Sequence, residues 1–508
     1  MKLRPRTFQI YWDAHAWSGV VAALLLHVMF FMGAFALFQH ELDRWASSPA
    51  PSGDSAPALQ PLLEQLHAEQ PLFGKRRVAF QLEPSGVTAH WRAGKEQHSF
   101  QYSAAAGKLV PLRSELGSFL YELHYLGPIP NGIYAAGVAS LALLLALVTG
   151  VLIHWKDLLR QWFQFRPERV MRTWSSDVHK VLGVFGLPYL LLYAWSGAVL
   201  CLAVKTVEPA LEAALFQGDE HAARIARGSG ERPPRPSGHL TGRLPDVDGA
   251  LATAQRELPG LRPTWVGIEH VGDERSTVHI FGALPGLALA TADVTVEASS
   301  GRVLQVLPPD GSHFRRFEAW FYGLHYARFG GYGVRILYAL LALASCAVIV
   351  TGNLVWLERR DLRRAHWGNR LLERLTAGWC AGVVLATGAA LLANRLLGFG
   401  SGESTGAEQW AFWLVWGLAI AAPFVARSSR RVAAYQLLLA AAALGGALLL
   451  EVSANGLGDP LRNGISAGLT GLALCAAAGG AALLRPRRTQ AQGTAMLARS
   501  REATLAAE

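Results

Sequence analysis

The sequence predicts an α-helical polytopic membrane protein with about eight transmembrane helices and two small α+β modules outside the membrane. Of its 508 residues, 51% are hydrophobic, which is too apolar for an ordinary soluble protein of this length. A helix needs about 20 apolar residues to cross about 30 Å of hydrocarbon. Stretches of that kind lie at residues 16–38, 132–154, 180–203, 332–357, 376–398, 409–426, 432–450 and 465–484.

Basic residues predict the orientation of these spans, because Lys and Arg are retained in cytoplasmic loops. Basic clusters precede the first span, occupy alternate short connections and follow the eighth span. In contrast, the connection from Gly398 to Glu408 has no Lys or Arg, and that from Val452 to Ser466 has only Arg462. We therefore expect both termini in the cytoplasm. The net charge of +10 reflects this topology and does not indicate nucleic-acid binding.

Two long loops, after the first and third spans, carry the patterns of folded modules. In each loop a helical pattern precedes three stretches that alternate apolar and polar residues, as half-buried strands do. The helices are predicted at 58–69 and 247–258. The strands are predicted at 77–83, 87–91, 98–103, 264–270, 276–281 and 290–297. The Gly-, Pro- and Arg-rich segment 228–242 is expected to be a flexible lead-in to the second module.

These patterns divide the chain into six parts. They are a first transmembrane helix (1–40), module 1 (41–127), helices 2 and 3 with a basic cytoplasmic loop (128–205), module 2 (206–328), helix 4 (329–365), and an accessory four-helix region with a cytoplasmic tail (366–508).

Two histidine-centred patterns each occur twice. The first, Asp-Ala-His15-Ala-Trp-Ser-Gly19, returns as Asp-Val-His179-Lys-Val-Leu-Gly183. The second, Tyr-Glu-Leu-His124-Tyr, returns as Tyr-Gly-Leu-His325-Tyr. Each copy abuts an apolar stretch, where an ionisable side chain is costly and therefore indicates function. Four histidines in two matched pairs are typical of axial haem ligands.

The duplication extends beyond the histidines. Gly33-Ala34 in the first span matches Gly197-Ala198 in the third, and Val-Thr-Gly150 in the second matches Val-Thr-Gly352 in the fourth. Asp157-Leu158 matches Asp361-Leu362 just beyond these spans. The repeating unit is therefore a helix, an outside module and a second helix.

His15 and Gly19 are four residues apart, so they share one helix face, and the glycine leaves room for a flat macrocycle beside the imidazole. His179 and Gly183 repeat this arrangement. Isolated histidines at such positions could equally bind backbone or lipid headgroups, but the matched companions favour ligation. His124 and His325 have aromatic neighbours that suit an interface belt as well as a haem pocket.

The remaining candidates are a mid-span histidine and several cations. His27 has Leu191 in the matching position, and it could replace a ligand or, as we expect, bond to a neighbouring carbonyl. Haem propionates need cationic partners, which could be Arg172 and Lys180 inside and Arg315, Arg316, Arg328 and Arg335 outside. The cysteines Cys201, Cys346, Cys380 and Cys475 form no CxxCH motif, so the predicted haem would be non-covalent.

The doubled Asp-x-His-x-x-x-Gly and Tyr-x-Leu-His-Tyr motifs, each with a helix-plus-three-strand module, resemble the PepSY-associated transmembrane family over about residues 10–365. The resemblance implies PepSY-like periplasmic modules in a bacterial inner-membrane ferric-siderophore reductase that carries heme b, here two groups. Electrons would pass outward to a ferric siderophore or periplasmic Fe(III) carrier, releasing Fe(II). The last four spans lie outside the resemblance and are expected to form a stabilising or lipid-facing bundle.

The chain has no G-x-G-x-x-G after a strand and no visible flavin domain, so the expected donor is a cytoplasmic protein, a quinol or a flavin site too irregular to recognise in the sequence. Two alternatives stay open. One is a non-haem transporter or sensor that uses the paired histidines, and the other is a membrane-anchored periplasmic interaction module. An absorbance spectrum of the purified protein distinguishes the haem hypothesis from both.

The predicted topology can be tested with reporter fusions. Fusions at Ser55 and Gly230 should report the periplasm and a fusion at Ser429 the cytoplasm, because basic clusters mark the cytoplasmic side. Paired alkaline phosphatase and fluorescent-protein reporters at each position provide the control. The reversed pattern would contradict the orientation.

Overall fold

The structure, a computed structural model, describes residues 4–47, 57–83, 86–93, 96–104, 106–155, 171–230, 234–284, 291–308, 313–358, 366–397 and 405–485. Within these residues the α-helices are α1 (Pro5–Ala36), α2 (Gln39–Ser47), α3 (Leu59–Glu69), α4 (Leu116–His124), α5 (Gly132–His154), α6 (Met171–Phe185), α7 (Leu187–Ala198), α8 (Glu208–Phe216), α9 (Glu220–Ala226), α10 (Val247–Glu257), α11 (His313–His325), α12 (Gly331–Glu358), α13 (Trp367–Leu375), α14 (Gly382–Leu397), α15 (Thr405–Val425), α16 (Ser429–Asn455) and α17 (Pro460–Leu484). The strands are β1 (Arg77–Glu83), β2 (Gly86–Ala93), β3 (Glu96–Ser103), β4 (Lys108–Pro111), β5 (Arg262–Glu269), β6 (Thr277–Ala283), β7 (Thr291–Glu297) and β8 (Val303–Leu307).

Eight helical stretches among the described residues are long and apolar enough to cross a membrane, as the sequence predicts. They are Pro5–Ala36, Gly132–His154, Leu187–Phe216, Gly331–Glu358, Trp367–Leu397, Gly406–Val425, Ser429–Asn455 and Pro460–Leu484. These stretches imply a lipid bilayer around the protein. The matched pairs Asp157-Leu158 and Asp361-Leu362 lie outside the described residues.

The third span is interrupted, whereas the sequence predicts one run over 180–203. α6 ends at Phe185 and α7 begins at Leu187, with Pro188 in its first turn. Proline lacks the N–H that would continue the hydrogen bonding of α6. In the first turn of α7 this loss costs little, because N–H groups there have no partner within the helix. His179 therefore lies on α6, ahead of the break. Beyond α7 the helix continues as a π-helical segment, Val199–Val207.

The two extramembrane modules form one continuous antiparallel sheet of eight strands in the order β4-β3-β2-β1-β5-β6-β7-β8. β1 pairs with β5, with Val78 opposite Ile268 and Phe80 opposite Val266. The prediction of three strands in each module is wrong by one, because β4 and β8 complete the two edges. These strands have only four and five residues, too few to show an alternating pattern.

Helices α3 and α10 cover the apolar face of the sheet and cap each other. The carboxylate of Asp248 in α10 accepts hydrogen bonds from the backbone N–H groups of Leu59 and Gln60 at 2.9 and 3.0 Å. In return, the side-chain carbonyl of Gln60 accepts from Val247 N–H at 3.0 Å. Each helix thus satisfies the free N–H groups at the start of the other, which locks the two modules together.

The second half of the predicted flexible lead-in is fixed to the second module. The backbone N–H groups of Ser237 and Gly238 donate to Asp273 at 3.0 and 2.8 Å, and Thr241 N–H donates to the carbonyl oxygen of Gly272 at 2.8 Å. Burial would raise the pKa of Asp273, but hydrogen bonds from Ser237, Arg275 and Gly238 lower it to about 2. Segment 234–242 is therefore an ordered strap, and the prediction of flexibility is wrong there.

In the membrane region the repeat helices pack together, with α1 against α5 and α12, α5 against α7, and α6 against α12. Helices α14 to α17 pack on one another and meet the repeat through a second π-helical segment, Thr376–Ala381. There Trp379 donates from its indole N–H to the carbonyl oxygen of Leu24 at 3.0 Å. The accessory region is thus attached to α1.

The joint between the modules can be tested at Gly267, which pairs with Ala79 across β1 and β5. A Cβ atom at Gly267 would lie 2.1 Å from the Trp265 ring, so Gly267→Val should displace that ring and weaken the joint. We expect a stability loss of about 1–3 kcal/mol, measured as a lower melting temperature. The control is Thr264→Val, because Thr264 is exposed on the same strand. Equal melting temperatures for the two variants would contradict the proposed role of Gly267.

Candidate functional site

The structure brings the four motif histidines together as two pairs. The ring centroids of His15 on α1 and His179 on α6 are 6.1 Å apart, with an interplanar angle of 74°. Those of His124 on α4 and His325 on α11 are 6.3 Å apart, with an angle of 47°. Both outer histidines end short helices that precede their spans, whereas the sequence predicts them at the ends of the spans themselves.

Three of the four imidazoles bond through Nδ1 to a backbone carbonyl oxygen on a neighbouring helix. The acceptor of His15 is Ala146 at 2.7 Å, that of His179 is Val348 at 2.9 Å, and that of His124 is Met29 at 2.6 Å. A carbonyl oxygen cannot donate, so Nδ1 carries the proton in each case. In a neutral imidazole this leaves the lone pair on Nε2, the atom that binds a metal.

His325 reaches the same state through a serine. Its Nδ1 lies 2.7 Å from Ser196 Oγ. Since the Ser196 hydroxyl donates to the carbonyl oxygen of Leu192 at 2.6 Å, it accepts from His325 Nδ1–H. The Tyr193 hydroxyl also donates to the backbone carbonyl oxygen of His325 at 2.7 Å. Metal-binding histidines typically donate their second ring N–H to a protein acceptor in this way.

Three repeated glycines make room for these rings. A Cβ atom at Gly150 would lie 3.0 Å from His15 Cε1, and one at Gly352 would lie 3.1 Å from His179 Cε1. A Cβ atom at Gly33 would lie 3.0 Å from His124 Nδ1. The sequence shows these glycines as part of the duplication but not what they contact.

Two repeated threonines share the acceptors of the inner pair. Each hydroxyl donates to the carbonyl oxygen four residues back, Thr149 to Leu145 and Thr351 to Ala347, both at 2.6 Å. Each also lies 3.1 Å from the carbonyl oxygen three residues back, that of Ala146 or Val348. The Val-Thr-Gly repeat therefore surrounds the carbonyl that fixes each inner imidazole. Sequence reasoning missed this role, although the repeat itself was the available signal.

The spacing of both pairs fits one metal ion held between two imidazoles. An imidazole nitrogen lies about 2.0 Å from a bound metal and about 1.1 Å from its own ring centroid, so two opposed rings have centroids about 6.2 Å apart. The measured separations are 6.1 and 6.3 Å. Within the described ranges, no group of three or more His, Cys, Asp or Glu side chains could hold a metal ion. A haem iron takes four further ligands from its porphyrin, so it would need no more protein ligands than one such pair.

The inner pair lines a cavity of about 350 Å³. Gly19 and Gly183 are part of its wall, and a Cβ atom at either position would meet no atom within 4 Å. His154 also lines the cavity, because it follows Gly150 by four residues on the same helix face. Other lining residues are Trp12, Trp17, Leu26, Leu143, Leu190 and Trp356. This mostly apolar space suits a flat hydrophobic cofactor.

Of the two predicted inner cations, Lys180 lines the cavity. The side chain of Arg172 lies outside the described part of the chain.

Two of the four predicted outer arginines have other contacts in the structure. Arg316 is nine residues before His325 on α11, about 13 Å away along the helix, and it lies 2.9 Å from His313 Nδ1. Its role as a propionate partner stays a prediction. Arg335 is already partnered, because it forms an ion pair with the buried Glu41 at 2.5 Å.

The other two outer arginines remain candidates for anion contact. Arg328 is exposed, and its guanidinium lies 4.9 Å from the ring centroid of Tyr326, which follows His325 directly. Arg315 lies near Asp293 of β7, where burial raises the pKa of the aspartate to about 6 against the opposing charge of Arg315. Arg328 is therefore the cation best placed beside the outer pair.

His27 does not join either pair. It is 5% exposed and stacks on Phe31 at a centroid distance of 6.4 Å. It lies about 200° around α1 from Met29, whose carbonyl oxygen binds His124, so it faces away from the outer pair. Its Nδ1 has no hydrogen-bond partner among the described residues, so the predicted carbonyl partner is wrong at that nitrogen.

Comparison with known proteins matches residues 12–359 to the PepSY-associated TM region. The chain belongs to this family. The match includes all four paired histidines and both halves of the sheet, and it ends before the accessory helices. An uncharacterized protein of Pseudomonas aeruginosa is 31% identical over 282 residues, covering 51% of this chain and 66% of that relative, just under two thirds of its length.

Proposed function

We propose that this family member is an inner-membrane b-type haem protein that passes electrons outward across the membrane. It would act as a ferric-siderophore reductase, an oxidoreductase that reduces periplasmic Fe(III) and releases Fe(II). The observation that carries the proposal is the double histidine pair, in which each Nδ1 has an acceptor and each Nε2 is left for a metal.

His15 and His179 would hold an inner haem, and His124 and His325 an outer one. When bound, each haem supplies a six-coordinate one-electron centre suited to electron transfer. Gly19 and Gly183 leave space beside the inner pair, and Lys180 and Arg328 supply positive charge near the inner and outer pairs respectively.

The separation of the pairs supports a route across the membrane. His15 and Met29, the contact of His124, are 14 residues apart on α1, about 21 Å along the helix axis. The hydrocarbon layer is about 30 Å thick, so a single pair would leave most of it uncrossed. Two pairs at this spacing would split the crossing of the hydrocarbon layer into shorter electron-transfer steps.

The direction and the substrate follow from the family resemblance and from iron chemistry. Siderophores bind Fe(III) through hard oxygen ligands, which hold Fe(II) less tightly, so reduction favours release. The electron donor would be a cytoplasmic protein or a quinol, and both termini would be cytoplasmic with the sheet in the periplasm.

The two alternatives fit the site less well. A transporter or sensor that bound a bare metal ion would need more protein ligands than the two imidazoles of each pair, and the described residues supply no group of three. A membrane-anchored interaction module would give no reason for four imidazoles to share one protonation pattern.

Haem content tests the proposal directly. Protein purified from haem-sufficient cells should contain about two haems per chain, identified as b-type by the pyridine haemochrome spectrum and extracted by acid acetone. His325→Ala should lose roughly half of this haem and stop ferric-siderophore reduction, because the outer pair loses a ligand. His179→Ala should keep the outer haem but lose its reduction by the physiological donor.

His27→Met is the matched control, because His27 is a buried histidine outside both pairs. It should retain both haem signals. Colourless protein, or haem that resists extraction, would contradict the proposal. Loss of a haem in His27→Met but not in His15→Ala would show that the ligands are assigned wrongly.

The glycines beside the rings give an independent test. Gly352→Val should displace the His179 ring and remove the inner haem, whereas Gly33→Val should displace His124 and remove the outer haem. The control is Gly445→Val on α16, where a Cβ atom would meet nothing within 4 Å. Haem per chain and the redox spectrum are the measurements. If all three variants keep both haems, the glycines do not provide space for ligand rings.

A further inference from the structure

A buried polar cluster joins the accessory helices to α2 and to the segment that leads into α4. All of its residues are at most 8% exposed. We call this cluster the outer latch, and it consists of Trp45, Ser47, Ser114, Asn394, Arg395, Glu408, Glu451 and Arg462. The latch residues on the accessory helices lie beyond residues 12–359, the part of the chain that matches the family, so the family resemblance does not account for the latch.

The ionic half of the outer latch is centred on Glu451 of α16. Its carboxylate lies 2.6 Å from the Arg395 guanidinium and 3.2 Å from that of Arg462. Both guanidinium groups also donate to the backbone carbonyl oxygen of Trp45, at 3.2 Å from Arg462. Arg395 stacks 3.9 Å over the Trp45 ring. Buried charges need such partners. Through these contacts the ionic half of the outer latch binds α2 at Trp45.

The second half of the outer latch is centred on Glu408 of α15. Its two oxygens accept from Asn394 Nδ2 at 2.6 Å and from the Ser114 hydroxyl at 2.7 Å. Asn394 also donates to the carbonyl oxygen of Ala46 at 3.1 Å. Ser114 N–H in turn donates to Ser47 Oγ at 2.9 Å. Glu408 therefore ties the accessory region to both α2 and the start of α4.

The outer latch continues directly into the helix that carries His124. Ser114 Oγ accepts from Leu116 N–H, the first residue of α4, at 3.2 Å. Farther along the helix, Phe119 packs edge-on against Phe412 of α15 at a centroid distance of 5.3 Å. α4 is only nine residues long, so fixing its first turn and its middle fixes the position of His124 at its end.

The equivalent helix of the second half is held differently. His325 at the end of α11 is fixed by Tyr193 and Ser196 of α7, which belong to the duplicated unit itself. Helix α11 packs against α7. Helix α4 is also held by the repeat, because it packs against α1 and α2 and its Ser118 donates to Asp43 through the backbone N–H at 3.0 Å and the hydroxyl at 2.7 Å. The accessory region therefore adds a further support to the first half of the outer pair, whereas the second half is held by α7.

We propose that the accessory four-helix region is a positioning device for His124, acting through the outer latch and the Phe119–Phe412 contact. Ser114 and Glu408 are its positioning residues. The proposal rests on the proposed function only for the consequence at the haem, since the support of α4 itself is independent of any bound group.

Hydrogen exchange of α4 in the full-length protein tests this support. Ser114→Ala and Glu408→Ala should speed amide exchange over residues 116–124 by at least about tenfold, because a buried carboxylate loses a partner or a hydroxyl loses its anchor. Exchange over residues 315–325 of α11 should stay unchanged. Glu408→Gln should restore much of the protection, because its amide still accepts from Asn394 and can donate to Ser114.

The matched control is Gln436→Ala, which removes a buried hydrogen bond of 2.7 Å to Ala419 within the accessory region and away from α4. It should leave exchange over 116–124 unchanged. Equal acceleration in Gln436→Ala and Ser114→Ala would overturn the proposal, because general loosening of the bundle would explain it. Unchanged α4 exchange in both latch variants would also overturn it.

A redox titration gives the second readout. In Ser114→Ala, the midpoint potential of the component that is missing in His325→Ala should shift, while the other component stays fixed. A protein without haem would defeat the proposed function but leave the exchange test intact. Accelerated α4 exchange with unshifted potentials would overturn the link to His124 and leave the haem assignment standing.

Discussion

The fixed protonation of four imidazoles is the constraint on which the rest of the membrane region depends. Each candidate ligand donates from Nδ1 to an acceptor on another helix, and three of those acceptors are backbone carbonyls. In a low-dielectric interior these bonds are strong and hold the ring in one orientation. Each bond also couples two helices, since the rings of α1, α6, α4 and α11 bind α5, α12, α1 and α7. The glycines at 33, 150 and 352 follow from this, because a ring that approaches a neighbouring backbone leaves no space for a Cβ atom.

Features that depend on side-chain type could be predicted from the sequence, whereas contacts made by backbone groups could not. Apolar run lengths gave the eight spans, and the doubled motifs identified His15, His179, His124 and His325. The acceptor carbonyls carry no side-chain signal, so their roles could not be found in the sequence. The β1–β5 joint was missed for a similar reason, because edge strands pair through N–H and C=O groups that any residue supplies. The contact of Arg316 with His313 could not be found in the sequence either, because spacing alone does not show which way a long side chain turns.

Duplication preserved the four paired histidines more closely than their surroundings. In the first half the acceptor for His124 is a backbone carbonyl at Met29, whereas in the second it is the hydroxyl of Ser196. A carbonyl and a hydroxyl polarise an imidazole to different extents, so the two rings of the outer pair would not be equivalent ligands. The accessory helices add a second asymmetry, because among the described residues the outer latch contacts α4 and not α11, its repeat partner. Two halves that began alike thus meet at one pair with different mechanical supports.

The extramembrane sheet and the outer pair both join equivalent parts of the two repeated halves. In the first half, β4 ends at Pro111 and α4 begins at Leu116, so the sheet leads almost directly to His124. The second half repeats this order with β8, α11 and His325. Since β1 and β5 join at the centre of the sheet, the two halves are held in one rigid frame, and the helices that follow them converge on one point. The inner pair has no such frame, and its rings are instead set by α5 and α12 within the membrane. The outer pair therefore depends on folding outside the membrane, whereas the inner pair depends on helix packing alone.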